Sequence, residues 1–422
     1  MLKTLIKRMK TKLSCRKESN FVGNDCLNML DRNNSTIVTR SAAKRRKIEE
    51  DDDRYQNSAV KTSLLSLSDD VLLIIFSYLP PADLLSLSKC CQRVANVVCD
   101  RSLWERVDLR KTRLTLGELE NYTRYLQKNT KFLATRGFEE APLIDPRKAT
   151  ISKDVLKSII KNAPNLETLI MENHAIDCVK VTLEEFPPNL LVLRMHKCQM
   201  IRMPQERSYF YKLDKVLPHL KVLDLTDCIW FVPHTLLALS KSPKLEQLIL
   251  KGCNVTECLP YASLAANFGF SVLKTLDLRN TSVTDIEVTC FNRTTSLRNL
   301  YLGAYPGDAN EDSHVTDYSI TTFGGGVQEY GDRGFRERGA IGIDIRDEVV
   351  IIDVSACPRP ICRLESLILQ NYPGITDRSL NHAVTSMPDL KFLDVSHTGV
   401  TRTGVQTFRE SRPEVKLIST LV

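Results

Sequence analysis

With 422 residues, 42% of them hydrophobic, and a formal charge of +7, the chain is too long for one ordinary compact domain and suits a small module joined to a repeating array. No run of about 18 apolar residues occurs, which excludes a membrane-spanning helix. Six of the seven net positive charges fall in residues 1–60, so the remainder is nearly neutral and lacks the basic domain face expected of a nucleic-acid binder. The 13 cysteines are odd in number and no secretory signal precedes them, which points to reduced thiols in an intracellular protein.

Residues 1–61 read as a disordered basic tail, rich in charge and poor in apolar residues. Leu2, Leu5, Ile6, Met9 and Leu13 share one helical face among basic residues, a pattern open to a solvated tail, a mitochondrial presequence or a membrane-surface helix. Lys44, Arg45, Arg46 and Lys47 form a compact basic tetrad suited to an acidic nuclear-import groove. Nucleus and cytoplasm are the expected locations, with mitochondria the alternative.

Residues 62–109 carry apolar residues at helical spacing. Ser68 or Asp69 caps a helix beginning near Asp70, with Val71, Leu72, Ile75, Phe76 and Leu79 following, and Pro80–Pro81 stops it. A second helix starts near Asp83 with Leu84, Leu87 and Cys91 on one face. A third starts near Asp100 and carries Leu103, Trp104 and Val107. A unit this small holds more apolar side chains than it buries, and such a surplus marks a partner surface.

The ordered pattern Leu67-x-x-Asp70-x-Leu72-Leu73-x-Ile75-Phe76-Ser77-Tyr78-Leu79-Pro80, Asp83-Leu84-x-x-Leu87, Cys91-x-Arg93 and Leu103-Trp104 closely resembles an F-box. The resemblance implies docking to a Skp-family adaptor through Leu67, Leu72, Ile75, Phe76, Leu79, Pro80, Leu84, Leu87, Leu103 and Trp104, and through the adaptor to a cullin and a RING protein. Two positions depart from the family pattern: Ser68 replaces the usual Pro, and Val94 replaces an aromatic residue, which removes part of a core ring.

Residues 110–160 read as a linker and transition into repeats that occupy residues 161–422. The motif Leu-x-x-Leu-x-Leu-x-x-Cys/Asn/Thr begins at Leu166, Leu190, Leu220, Leu245, Leu273, Leu297, Leu364 and Leu390. The steps are 24–30 residues except for one of 67, close to the leucine-rich-repeat period. Leu-x-Leu is a short strand with alternate residues inward, and the ninth position, Cys198, Cys228 and Cys253 in three successive copies, fills the corner where the chain turns away. Return helices are expected at Pro233–Ser240 and Thr376–Thr385. His174 and His196 read as exposed members of this ladder. Residues 324–360 read as a glycine-rich, charged, flexible insert, with Val349–Val354 as a strand of a degenerate ninth repeat, and Val415–Val422 as a last strand. The fold class is therefore α/β: a short three-helix F-box followed by a leucine-rich-repeat solenoid of horseshoe form.

On the solvent face of the repeats, Arg194, His196, Asp224, Thr226, Lys251, Asp277, Arg279 and Tyr301 are the candidate substrate-binding residues, with Arg194, Lys251 and Arg279 suited to a phosphorylated side chain. No Walker loop, dinucleotide fingerprint or Gly-x-Ser-x-Gly occurs, and Cys253 and Cys258 have no histidine at zinc-site spacing. The expectation is a non-catalytic, cofactor-free and metal-free adaptor that binds a protein substrate for a Skp–cullin–F-box ubiquitin ligase. The alternatives are a repeat scaffold outside any ligase and a mitochondrial or membrane-associated assembly factor.

Overall fold

A computed structural model describes residues 64–138, 149–204, 207–255, 258–306, 315–324, 340–345, 348–353 and 362–421. The presequence-like segment, the basic tetrad and the rest of the tail lie outside these residues. The described residues divide into two compact units, with the boundary between Leu109 and Arg110.

In the first unit the helices are Asp69–Ser77, Pro81–Ser88 and Gln92–Val98, followed by a single 3-10 turn at Arg101–Trp104 and a short strand, Arg106–Asp108. The third helix differs from the expected one near Asp100. Cys91 adopts extended backbone and starts the helix Gln92–Val98, and Asp100 caps only the 3-10 turn through the Ser102 amide, at 2.9 Å. Ser68 occupies the N-cap of the first helix by backbone angle, but its side chain makes no capping hydrogen bond. Pro81 stands in the first turn of the second helix, where its missing N–H costs nothing. Leu72, Phe76, Leu84, Val94, Val98 and Trp104 form the core, each at most 3% exposed, and the Trp104 indole N–H donates to the Val98 carbonyl at 2.7 Å. Val94 thus fills its core position without an aromatic ring.

The second unit is a parallel sheet whose strands follow chain order: Phe132–Arg136, Thr168–Glu172, Val192–His196, Val222–Asp224, Gln247–Ile249, Thr275–Arg279, Asn299–Gly303, Ser366–Gln370, Phe392–Asp394 and Lys416–Ile418. Alternation decides the faces. Leu193, Leu223, Leu248, Leu276 and Leu300 are in register and fully buried, while the alternate positions range from buried, as at Asp224 and Asp277, to half-exposed, as at Arg194. Helices Thr235–Ser240, Leu259–Phe268 and Asp285–Cys290 pack in sequence on one another, as do Asp377–Ser386 and Arg402–Ser411. No repeat has a core of its own; each buries its leucines against the next. The strand Phe132–Arg136, within residues 110–160, and the helix Lys153–Asn162, which begins there, extend the array at its start, and Lys416–Ile418 adds a rung at its end.

The 67-residue step leaves no gap in the sheet. Asn299–Gly303 pairs directly with Ser366–Gln370. The Asp317 carboxylate accepts hydrogen bonds from the amides of Thr376, at 2.9 Å, and Ser379, at 3.2 Å, and His382 Nε2 reaches the Phe323 carbonyl oxygen at 2.6 Å. Glu348–Asp353 is no ninth rung: it pairs antiparallel with Ala340–Ile345 in a separate two-stranded sheet. The insert therefore holds a hairpin of its own while the repeats close beneath the excursion.

Candidate functional site: an apolar helical patch and an open sheet face

Two surfaces emerge, one in each unit. In the helical unit, five of the ten residues expected to dock a partner are core: Leu72, Phe76, Leu84, Leu87 and Trp104 are at most 9% exposed. Leu67, Ile75, Leu79, Pro80 and Leu103 are partly exposed. The strongly exposed apolar residues are others: Ile74 at 62%, Tyr78 at 75%, Leu65 at 48% and Val71 at 40%. Helical periodicity could have found Val71, Ile74 and Tyr78, which recur at i, i+3 and i+7 on the side opposite Leu72 and Phe76. Arg93 fixes the segment leading into the first helix. Its guanidinium donates to the Leu65 and Leu67 carbonyls and to the Asp69 carboxylate, the latter at 2.8 Å. Arg93 is thereby tied to the stretch that carries Leu65.

On the sheet, Ile170, Arg194, Asp224, Ile249, Asp277, Tyr301, Ile368, Asp394 and Ile418 form one cross-strand row. The three acids of that row are closed. Asp224 Oδ1 accepts from the Thr226 amide at 3.1 Å, Asp277 Oδ1 from the Arg279 amide at 3.1 Å, and Asp394 Oδ1 from the Ser396 amide at 2.9 Å. Each aspartate thus caps the strand end two residues on, a local reason for Asp at this repeat position. Their remaining oxygens accept from His196 Nε2 at 2.8 Å, from the Arg279 guanidinium at 2.6 Å and from Gln370 Nε2 at 2.8 Å. Burial works against the Asp224 carboxylate, yet the hydrogen bonds from His196 and Thr226 outweigh it and hold its pKa below the ordinary value. Arg279 lies 5.6 Å from the Tyr301 ring centroid. The candidates Asp224, Thr226, Asp277 and Arg279 are thus bonded to one another's neighbourhood rather than offered outward, whereas Arg194 and Lys251 remain open.

The eighth and ninth motif positions form the corner beyond the strands. Asn173, Lys197, Asp227, Gly252, Asn280, Asn371 and His397, all at the eighth position, have φ between 49° and 70°. That left-handed turn accounts for the Asn and Gly residues among them. At the ninth, the thiols of Cys198, Cys228 and Cys253 donate to the carbonyls of Met171, Met195 and Leu225, at 3.4, 2.7 and 3.0 Å. Burial pushes the Cys198 and Cys253 thiols up to about 12, so these are packing groups and not nucleophiles. His174 occupies the same position in the preceding repeat. It is fully buried, not exposed, with its ring nitrogens 2.9 Å from the Thr135 and Thr150 hydroxyls, and burial lowers its pKa to about 3. Among the described residues no cluster of three metal-ligating side chains occurs, and no helix is long and apolar enough to cross a membrane.

An F-box-like family model matches residues 65–110. F-box/LRR-repeat protein 12 from Homo sapiens is 30% identical over 205 residues, 46% of this chain and 58% of that protein. Its counterpart from Mus musculus is 31% identical over 212 residues, covering 48% and 60%. The matches span less than two thirds of either relative. Among solved structures, an LRR protein of Leptospira interrogans is similar with a TM-score of 0.37 and 15% identity over 71% of this chain and 62% of that chain. The yeast complex of Rad7 and Elc1 is similar with a TM-score of 0.35 and 13% identity, covering 83% and 92%.

Proposed function

We propose that this chain, which belongs to the F-box/LRR family, is the substrate-recognition subunit of a Skp–cullin–F-box ubiquitin ligase. Its F-box would dock a Skp-family adaptor, and through it a cullin and a RING protein, while the open face of the repeats holds a protein substrate. The observation that carries this reading is a helical unit with a complete core that still exposes Ile74 and Tyr78 beside Leu65 and Val71. Burying four such side chains supplies roughly 6–12 kcal/mol gross at ~1.5–3 kcal/mol each. Set against an association cost of at least ~4 kcal/mol, that is enough for a specific complex. The repeats bring the substrate to the ubiquitin-charged enzyme that the ligase recruits, so this chain acts by proximity and supplies no catalytic group.

The test is co-purification of Skp adaptor and cullin with the full chain and with an Ile74→Ala/Tyr78→Ala variant. Wild type is expected to retain both and the variant to lose both while melting at the same temperature. A folded wild type that retains neither sinks the ligase reading. Retention of the adaptor without cullin favours the scaffold reading. The Lys44–Lys47 tetrad supports a nuclear and cytoplasmic location, checked by replacing the four residues with alanine in a fluorescent fusion. A wild-type mitochondrial signal would instead favour the assembly-factor reading.

A further inference from the structure

The charges on the open sheet face are unequal in availability. Its aspartates are spent on strand ends, as described, and Glu172 is paired with Arg110 at 3.0 Å. The cations are not matched in the same way. Arg194 lies no closer than 4.0 Å to Asp224, and its Nε is buried without a hydrogen-bond partner. Among the described residues the Arg136 Nε has none either. The Lys251 ammonium makes no hydrogen bond or ion pair among the described residues. What this part of the face offers a visitor is therefore donors and positive charge.

Spacing narrows the visitor. Arg136 and Arg194 stand on strands two apart, and Lys251 follows a strand two further on. At about 4.8 Å per strand, neighbouring cations are roughly 10 Å apart across the sheet, and Arg194 sits two residues short of Arg136 and Lys251 along the strands, which brings the backbone separation to about 12 Å. That is too far for one phosphate to satisfy, but the long Arg and Lys side chains bring the three heads within reach of a polyproline-type extended segment, whose every third side chain faces the same way at ~9 Å intervals. Beside these cations, beyond the strand ends, lies a cavity of about 200 Å³ with Phe138, Lys197, Asp227 and Ile229 in its lining. Phe138 and Ile229 are 37% and 75% exposed. Asp227 disfavours an acidic side chain there, whereas the apolar walls favour an uncharged one.

We propose that the first half of the repeat face, from Arg136 to Lys251, binds an acidic, extended segment of a partner protein. Its carboxylates sit at every third position on Arg136, Arg194 and Lys251, and one apolar side chain enters the cavity between Phe138 and Ile229. The inference rests on the substrate-receptor reading and adds the chemistry of the substrate.

The test uses the full chain and a fluorescein-labelled twelve-residue peptide with glutamate at every third position, proline elsewhere and one leucine. Fluorescence polarisation is expected to show binding that weakens as salt rises and falls at least tenfold in an Arg136→Ala/Arg194→Ala/Lys251→Ala variant. The same peptide with lysine in place of glutamate is expected not to bind. Lys251→Glu alone, at a side chain without a hydrogen bond, gives a second reading should the triple variant melt early. The proposal is overturned if the acidic peptide does not bind, if it binds the variants as well as wild type, or if a single-stranded DNA twelve-mer binds as tightly. Adaptor co-purification in the same preparations separates the two ideas: its retention alongside any of those results condemns only the acidic-segment proposal.

Discussion

The helical unit and the repeat array solve the same problem of apolar surplus in opposite ways. In the repeats every leucine of the motif finds a neighbour one rung away, and the outer sheet face mixes charged and polar residues with isolated isoleucines. In the helical unit three short helices enclose Trp104, Leu72 and Phe76 and then run out of cover, so Ile74 and Tyr78 stay in water. A stack satisfies its hydrophobic edge by repetition, whereas a module of fewer than fifty residues leaves part of its own exposed. What is left over differs accordingly: exposed apolar side chains in one unit and, among the described residues, weakly matched cations in the other.

The largest expected effect tests the core of the small unit. Trp104→Ala removes a fully buried ring and the hydrogen bond to Val98, and should cost about 3–5 kcal/mol, read as early proteolysis of residues 64–109. The Ile74→Ala/Tyr78→Ala variant, by contrast, should leave proteolysis unchanged. If both behave alike, the division between core and patch is wrong. In the array, Leu223→Ala empties a fully buried position between two rungs and should cost about 2–5 kcal/mol in urea unfolding.

Acid sharpens the contrast between the buried and the exposed histidine positions. His174 has its folded pKa lowered to about 3 from an unfolded value of 6.5. The unfolded chain therefore binds the proton first as pH falls, and stability drops through the window from 6.5 towards 3. Between pH 7 and pH 5 the loss should be about 2 kcal/mol, and a His174→Gln variant should lack that slope in urea titrations. Equal slopes would mean that His174 is not shut away from water.

Asp317 spans the long insert, so Asp317→Ala should cost about 1–3 kcal/mol by stranding the Thr376 and Ser379 donors. The loss should appear as faster hydrogen exchange in Asp377–Ser386. The smallest effect belongs to the exposed pair Lys274–Glu246, at 2.7 Å, where Lys274→Ala should shift stability by less than about 1 kcal/mol. A larger shift would show the sheet margin to be more rigid than its exposure indicates.

Much of the array was legible because its code is periodic. The eight motif starts, the buried leucines and the cysteine corner followed from spacing, since each leucine answers to a like neighbour. The helical unit was less legible. Its ordered apolar pattern named the module but mixed core with surface: Leu72 and Ile74 are both aliphatic and two residues apart, and only the packing of Gln92–Val98 and Trp104 against one side of the first helix separates them. The strand Phe132–Arg136 was missed because Leu133-Ala134-Thr135 lacks the leucine spacing, although its register with Thr168–Glu172 is complete. His174 was misplaced because an imidazole at a cysteine position looks solvated until Thr135 and Thr150 close over it.

By itself, then, the sequence determined the two-part organisation, the period of the array and the identity of its buried rungs, because local spacing alone dictates which side chains share a face. Tertiary structure decided which apolar residues of the small unit remain in water, how the repeats close beneath the insert, and which charges on the sheet are already bonded. Those outcomes depend on partners brought together from distant positions, such as Asp317 with Ser379 or His196 with Asp224, and no local pattern encodes whether such a partner will be in reach.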